Sequence, residues 1–282
     1  MKSCQLLAFD LDGTLLQKGG ALSPLGAKAL EAAAKAGIFP VPATGRMRDF
    51  LPPALTALPC IRYAVTCNGA SVWDLQEGKV LFSRLIPWET AEKVLAILEE
   101  YPVYKEFYAG GGAVTETGSR RKALEAWGFP QEKRLFLEKP YRLTGSLRET
   151  LVREKICPEK INLPWLPDPL RREISQRLQA FGGLELASSF PDNLEINAAG
   201  CSKAQGLQAL GAHLGIGREA MAAMGDSGND RAMLEYAGFP IAMGNASPEL
   251  KKIARAVAPP CEEDGAALAI FQYILPGGPL RG

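Results

Sequence analysis

Apolar and polar positions follow two different rhythms along this chain. Near the start, the short apolar run Gln5–Leu11 ends on acidic residues, the pattern of a buried parallel strand. Ser23-Pro24 then predicts a helix start, with Ser as N-cap and Pro in the first turn. Gly37 closes the alanine-rich run that follows. Ile38–Ala43 predicts a second strand, although Pro40 and Pro42 each remove a ladder donor. A third apolar run, Tyr63–Cys67, stops at Asn68-Gly69. Strand, helix, strand, loop, strand is the rhythm of a parallel α/β sheet.

After Phe82 the texture changes. Trp88–Tyr101 predicts an amphipathic helix, and Val103–Tyr108 and Ala113–Thr117 predict two strands around the Gly110–Gly112 turn. Helices are expected near Gly118–Trp127 and Ser146–Lys155, a strand at Lys160–Trp165, a helix at Asp168–Phe181 capped by Asp168, and a strand at Leu184–Ser188. This block reads as α+β with no parallel crossover. From Asn193 the βαβ rhythm returns. It predicts strand Leu194–Asn197, helix Ser202–Leu214, strand Ala220–Met224, helix Asn229–Ala237, strand Phe239–Ala242, helix Ser247–Arg255 and a last helix Asp264–Ile274. The economical arrangement is an α/β core built from residues 1–84 and 191–282, with an α+β domain inserted at 85–190.

The length of 282 residues fits one large domain or two smaller ones. With 32 Lys and Arg against 31 Asp and Glu, the net charge of +1 excludes a broad nucleic-acid footprint. No apolar run approaches the roughly 18 residues of a membrane span. The opening apolar stretch is short and meets Asp10 and Asp12, which is not a signal peptide. A soluble cytoplasmic protein is expected. The six cysteines form no CxxC pair and His213 is the only histidine, so a Cys/His zinc site is not expected and the thiols read as reduced. His213 lies in a helical run near its C-terminal end. Chemistry must then rest on carboxylates, lysine and hydroxyls, with or without a hard metal ion.

Asp10-Leu11-Asp12-Gly13-Thr14 follows an apolar strand directly. Alternate residues of an extended chain point the same way, so Asp10 and Asp12 start on one side of the backbone. The C-terminal end of a strand is where open α/β sheets bind ligands. Two carboxylates this close call for a cation or a shared proton, and Mg²⁺ suits oxygen donors. Taken alone, DLDGT is equally a solvated turn or a helix cap at Asp12. A second acidic strand end, Gly225-Asp226-Ser227-Gly228-Asn229-Asp230, makes coincidence a poor explanation. By itself that segment reads as a glycine-rich turn with Asn229 as N-cap. Thr44 also ends a predicted strand, where its hydroxyl and a neighbouring amide, such as that of Gly45, suit a phosphate oxygen. Lys203 starts a helix, where dipole and ammonium together favour an anion; its plainer reading is an exposed surface lysine.

These four elements, in this order, resemble the motifs of the haloacid dehalogenase-like superfamily of phosphotransferases. DLDGT, ATGR, NAAGCSKAQGL and GDSGND match the four motifs, and TCNGA, LEIN and MGNA add similarity to the Cof-type subgroup with its large α/β cap. The resemblance implies a Rossmann-like parallel-sheet core with an inserted α+β cap domain that closes over the substrate. It implies a Mg²⁺-dependent phosphatase of small phosphorylated metabolites, such as sugar phosphates. Asp10 is then the nucleophile that forms an aspartyl-phosphate, and Asp12 the general acid and base. Asp10, Asp12 and Asp226 are implied to hold Mg²⁺, with Asp230 joining them or orienting Lys203. Thr44, Gly45, Lys203 and Asn229 are implied to bind phosphate, and Arg46 and Asn68 to shape the entrance. A phosphomutase of the same superfamily, or a non-catalytic phosphate sensor, shares the pattern. Within the inserted block Lys105, Tyr108, Glu116, Arg120 and Arg121 offer polar groups, each of which reads singly as a solvated residue.

Overall fold

The computed structural model describes residues 4–131, 137–138 and 141–275, which fall into two compact units. The first unit takes residues up to 46, 51–83 and from 202 onward; the second takes 47–50 and 84–201. The chain opens with β1 (Leu6–Phe9), α1 (Pro24–Lys35), β2 (Phe39–Pro42), α2 (Pro53–Thr56), β3 (Tyr63–Thr66), β4 (Ser71–Asp74) and β5 (Lys79–Ser83). The second unit follows as α3 (Trp88–Glu99), β6 (Glu106–Ala109), β7 (Gly112–Glu116), α4 (Ser119–Glu125), β8 (Tyr141–Thr144), α5 (Leu147–Glu154), β9 (Lys160–Leu163), α6 (Asp168–Phe181), β10 (Leu184–Ala187) and β11 (Leu194–Ala198). The chain returns through α7 (Lys203–Leu214), β12 (Met221–Gly225), α8 (Arg231–Tyr236), β13 (Phe239–Ala242), α9 (Pro248–Ile253), β14 (Ala256–Val257) and α10 (Gly265–Ala269).

The first unit is built on a five-stranded sheet of order β14-β13-β12-β1-β2, parallel throughout. Strand β1 is buried along its whole length because both faces are covered. Leu7 and Phe9 pack with Ala29, Leu30 and Ala33 of α1 and with α10, whereas Leu6 and Ala8 pack with Leu207 and Leu210 of α7 and with α8. Helix α1 buries Gly26, Ala29, Leu30 and Ala33, the spacing of one helical face, and the Ser23 hydroxyl accepts the Gly26 amide at 2.8 Å. Each fully buried Leu or Phe of this core contributes about 1.5–3 kcal/mol. The two prolines are accommodated because β2 is an edge strand. Phe39 and Ala43 donate to Gln5 and Phe9, so Pro40 and Pro42 take the alternate positions whose amide would point away from β1.

The apolar run Tyr63–Cys67 does not continue the parallel sheet as expected. Strand β3 pairs antiparallel with β4, and β4 with β5, in a separate meander. It meets the main sheet through one bridge, where the Thr44 amide donates to the Val65 carbonyl at 2.9 Å. The reversal is made by Cys67, Asn68 and Gly69, all with positive φ. Gly69 is required twice, since its φ is +97° and a Cβ there would overlap the Ser202 carbonyl at the start of α7.

The second unit carries a six-stranded sheet of order β10-β11-β9-β6-β7-β8. All its pairs are antiparallel except β7 with β8, a parallel crossover through α4 that the sequence pattern did not reveal. Strand β11 belongs to this sheet and not to the core, so the unit ends at Cys201 and not at the expected 190. Asp168 is the first residue of α6, makes no cap bond, and pairs with Arg171 and Arg172 instead. One sheet face is apolar, with Phe107, Ile161, Leu163 and Ile196 in a shared core with α3, α5 and α6. The alternate residues are polar and buried. Tyr108 and Asn162 donate to Glu106, and Lys160 pairs with Glu195 at 2.9 Å. Tyr108 is therefore not solvated, Lys105 just before β6 is also buried, and Arg120 and Arg121 are exposed.

The contact at Gly69 makes a direct test of how α7 is seated. Gly37→Ala, where φ is +80° but the space is open, should cost about 1–2 kcal/mol in urea unfolding. Gly69→Ala adds overpacking of about 1–3 kcal/mol to the same strain. Equal losses for the two variants would contradict close seating of α7 on this turn.

Candidate active site

Parallel register collects the polar residues. Phe9 pairs with Met224 on one side and Pro42 on the other, so Asp10, Asp226 and Thr44 emerge at the same end of three adjacent strands. That is the carboxyl end, where strand termini of an open α/β sheet leave a crevice. Lys203 enters as the first residue of α7, whose start is fixed by Ser202: its hydroxyl accepts the Gln205 amide at 3.2 Å.

Lys203 is fully buried, and not the exposed lysine of the plainer reading. Its Nζ donates to Asp10 Oδ1 and to Asp230 Oδ1, each at 2.6 Å. Burial opposes the ammonium, but Asp10 and Asp230 outweigh it and hold Lys203 above the ordinary lysine range. Burial likewise pushes the Asp10 carboxyl well above the usual carboxylate range; Lys203 pulls it down, and Asp230 and Asp12 push it up. The second oxygen of Asp230 accepts the amides of Asp226 and Ser227 at 2.9 and 3.0 Å. Both its oxygens are thereby engaged. The helix start at this loop is a capping box between Ser227 and Asp230, and Asn229 is not the cap that the sequence pattern had offered.

Asp226 is held from two sides by neutral donors. The Thr14 hydroxyl reaches Oδ1 at 3.1 Å, and Asn245 Nδ2 reaches Oδ2 at 3.2 Å. Burial and Asp230 push this carboxyl up to about 6. Oxygens of Asp10, Asp226 and Asp230 all lie within 4.8 Å of one another. Three carboxylates face a single ammonium, an all-oxygen, negatively charged donor set that fits a hard divalent cation such as Mg²⁺ and no soft metal.

Asp12 is turned to Arg46, which donates to both its oxygens at 2.8 and 2.6 Å. Thr44 is buried, and its hydroxyl accepts the Arg46 amide at 3.1 Å while keeping its own proton to give. Gly45 lies between them. The Asn68 amide donates to the Thr44 carbonyl at 3.0 Å, and the Asn68 side chain accepts from Asn229 Nδ2 at 3.2 Å. All ten residues expected from sequence to act in catalysis or to bind phosphate or metal thus belong to the first unit, whereas Lys105, Tyr108, Glu116, Arg120 and Arg121 belong to the second. Thr14 and Asn245 were missed as participants. Both are neutral and carry no charge pattern, although MGNA had stood out as a segment.

Comparison with known proteins bears on the family and the fold. Residues 7–270 match the model of the haloacid dehalogenase-like hydrolase family. The chain is 30% identical over 277 residues to a 5-amino-6-(5-phospho-D-ribitylamino)uracil phosphatase of Bacillus subtilis, covering 96% of each protein. It is 31% identical to a pyridoxal phosphate phosphatase of Escherichia coli, covering 96% of this chain and 99% of that protein. Its fold is similar to that of a haloacid dehalogenase-like hydrolase from Bacteroides thetaiotaomicron, with a TM-score of 0.81, 25% identity and coverage of 95% and 99%.

Removing the buried cation tests the electrostatics. Lys203→Met leaves buried carboxylates uncompensated and should cost about 3–5 kcal/mol at neutral pH. A carboxyl whose folded pKa is raised, as for Asp10, holds its proton at low pH, and the associated stability is lost as pH rises. The deficit of Lys203→Met in urea unfolding should therefore shrink toward acid pH. A deficit that stays constant or grows on acidification contradicts this.

Proposed function

Because the chain belongs to the haloacid dehalogenase-like hydrolases and its relatives above are named phosphatases, we propose that it hydrolyses small phosphorylated metabolites with Mg²⁺ through an aspartyl-phosphate on Asp10. The observation that carries the reading is the buried Lys203, held at 2.6 Å from both Asp10 and Asp230 beside Asp226. The two relatives support the substrate class, since one is named for a phosphorylated ribitylaminouracil and the other for pyridoxal phosphate.

Asp10 Oδ attacks phosphorus, the bond to the leaving oxygen breaks, and Asp12 gives that oxygen a proton. Asp12 then takes a proton from the water that attacks the acyl phosphate, releasing phosphate and restoring Asp10. Lys203 and the Thr44 hydroxyl face the charge that develops on the transferring group. Asp230 keeps Lys203 in place and is assigned as a positioning residue, since one oxygen accepts the ammonium and the other accepts two backbone amides, a heavier load than the two neutral donors on Asp226. Asp10, the Asp12 backbone carbonyl and Asp226 would hold Mg²⁺. When bound, Mg²⁺ offsets the clustered carboxylates and polarises the phosphoryl group. Proton transfer at Asp12 requires its pair with Arg46 to open, and a phosphate dianion offers Arg46 the alternative partner. Gly45, Asn68 and Asn229 line the same approach.

A panel of phosphoesters assayed with Mg²⁺ and with EDTA tests the reading. Mg²⁺-dependent phosphate release should fall by about 10⁴-fold or more in Asp10→Asn. Release that persists in that variant contradicts Asp10 as nucleophile. Protons should compete with the metal, because Asp226 takes up its proton at about pH 6. The half-saturating Mg²⁺ concentration should rise as pH falls through about 6, with excess Mg²⁺ recovering activity. A half-saturation point that does not move with pH contradicts Asp226 as a ligand.

A further inference from the structure

Asn245 has no part in those steps, yet it joins three segments of the site. It stands in the turn between β13 and α9. Its Nδ2 donates to the Gly13 carbonyl at 2.8 Å and to Asp226 Oδ2 at 3.2 Å, and its Oδ1 accepts the Cys261 amide at 3.1 Å. The loops after β1, β12 and β14 thus meet on one side chain. A carboxamide suits this position because it donates and accepts at once. An aspartate there would lose the donor and face Asp226 with like charge.

The two segments it ties carry the proposed metal donors. Gly13 follows Asp12, whose backbone carbonyl is one of them, and Asp226 is another. They leave each other little room, since φ at Gly13 is +80° and a Cβ there would overlap the Asp226 carboxylate. The Thr14 hydroxyl fixes the other oxygen of Asp226. A carboxylate offers about four lone-pair positions, so these two neutral donors orient Asp226 and still leave it able to bind a cation.

We propose that Asn245 is a positioning residue for the divalent cation: it locks the nucleophile loop to Asp226 so that their oxygens converge on one point. The inference rests on the Mg²⁺ reading above. Partners that orient a metal ligand in this way typically account for about 10–100-fold in metal affinity. An asparagine that only braced a turn would affect stability and leave metal affinity alone.

The test uses Mn²⁺ as a paramagnetic probe with the full chain and no substrate, following loss of the free-ion signal in electron paramagnetic resonance. Asn245→Ala should raise the Mn²⁺ Kd by about 10–100-fold. The half-saturating Mg²⁺ concentration for phosphate release should rise by a similar factor, while kcat at saturating Mg²⁺ stays within about threefold of wild type. If Asn245→Ala does not fold, the size-matched Asn245→Leu carries the same measurements. Wild-type Mn²⁺ affinity in the variant overturns the inference, as does a loss of kcat with no change in metal affinity. A wild-type protein that binds no Mn²⁺ overturns the metal reading itself, and this inference with it.

Discussion

A buried ammonium between two buried carboxylates is the constraint around which the first unit is arranged. Lys203 Nζ joins Asp10, 193 positions away in the chain, to Asp230. Such a group is tolerated in the interior only when its partners are in place, because losing one leaves an uncompensated charge. Everything that delivers those partners is therefore under tight geometric demand. The parallel register of β1 with β12 sets Asp10 beside the loop after Gly225, and the capping box of Ser227 and Asp230 turns that second carboxylate inward. Ser202 begins α7 at the residue before Lys203, and Gly69 lets α7 approach the turn beneath it. A buried ion cluster is weak evidence for stability, since apolar packing of the same volume often does as well. Its retention here fits chemistry that needs a fixed cation facing a nucleophile.

One lysine does not balance the acids around it. Asp226 stands beside the cluster with its carboxyl pushed up to about 6, first by burial and then by Asp230. Asp12 avoids the cluster by pairing with Arg46. The site is thus arranged in two parts, an ion cluster at the strand ends and a more exposed ion pair. The proposed nucleophile and phosphate-facing cation belong to the first part. The proposed proton donor and acceptor belongs to the second. This division matches the demands of a two-step phosphoryl transfer, in which positioning must persist while one proton moves twice.

Much of this was legible in the sequence, and the failures have physical causes. Strand β1 read correctly because a strand covered on both faces is apolar throughout, and α1 because Ser23, Pro24 and Gly37 mark its ends with local chemistry. Pairing partners are non-local, so β3 read as a further parallel strand although three positive-φ residues fold it into a meander. Strand β11 read as core for the same reason; its alternation of Leu194 and Ile196 with Glu195 and Asn197 fits either sheet until its neighbours are known. Lys203 was legible as a motif residue but not as a buried one, since its burial depends on Asp10 and Asp230. Tyr108 read as solvated for want of knowing that the polar residues beside it on its sheet face are buried, and Lys105, just before β6, is buried as well. Asn245 and Thr14 carry no charge, and only the folded loops show that they hold Asp226.

In the proposed reaction, Asp10 carries the phosphoryl group during turnover. Rapid acid quench of the enzyme with a turned-over phosphoester, followed by peptide mass spectrometry, measures this directly. A phosphoryl group should appear on the peptide containing Asp10 and decay as free phosphate accumulates. A phosphoryl group on any other residue, or phosphate formed with no protein-bound phosphoryl at any quench time, would contradict it.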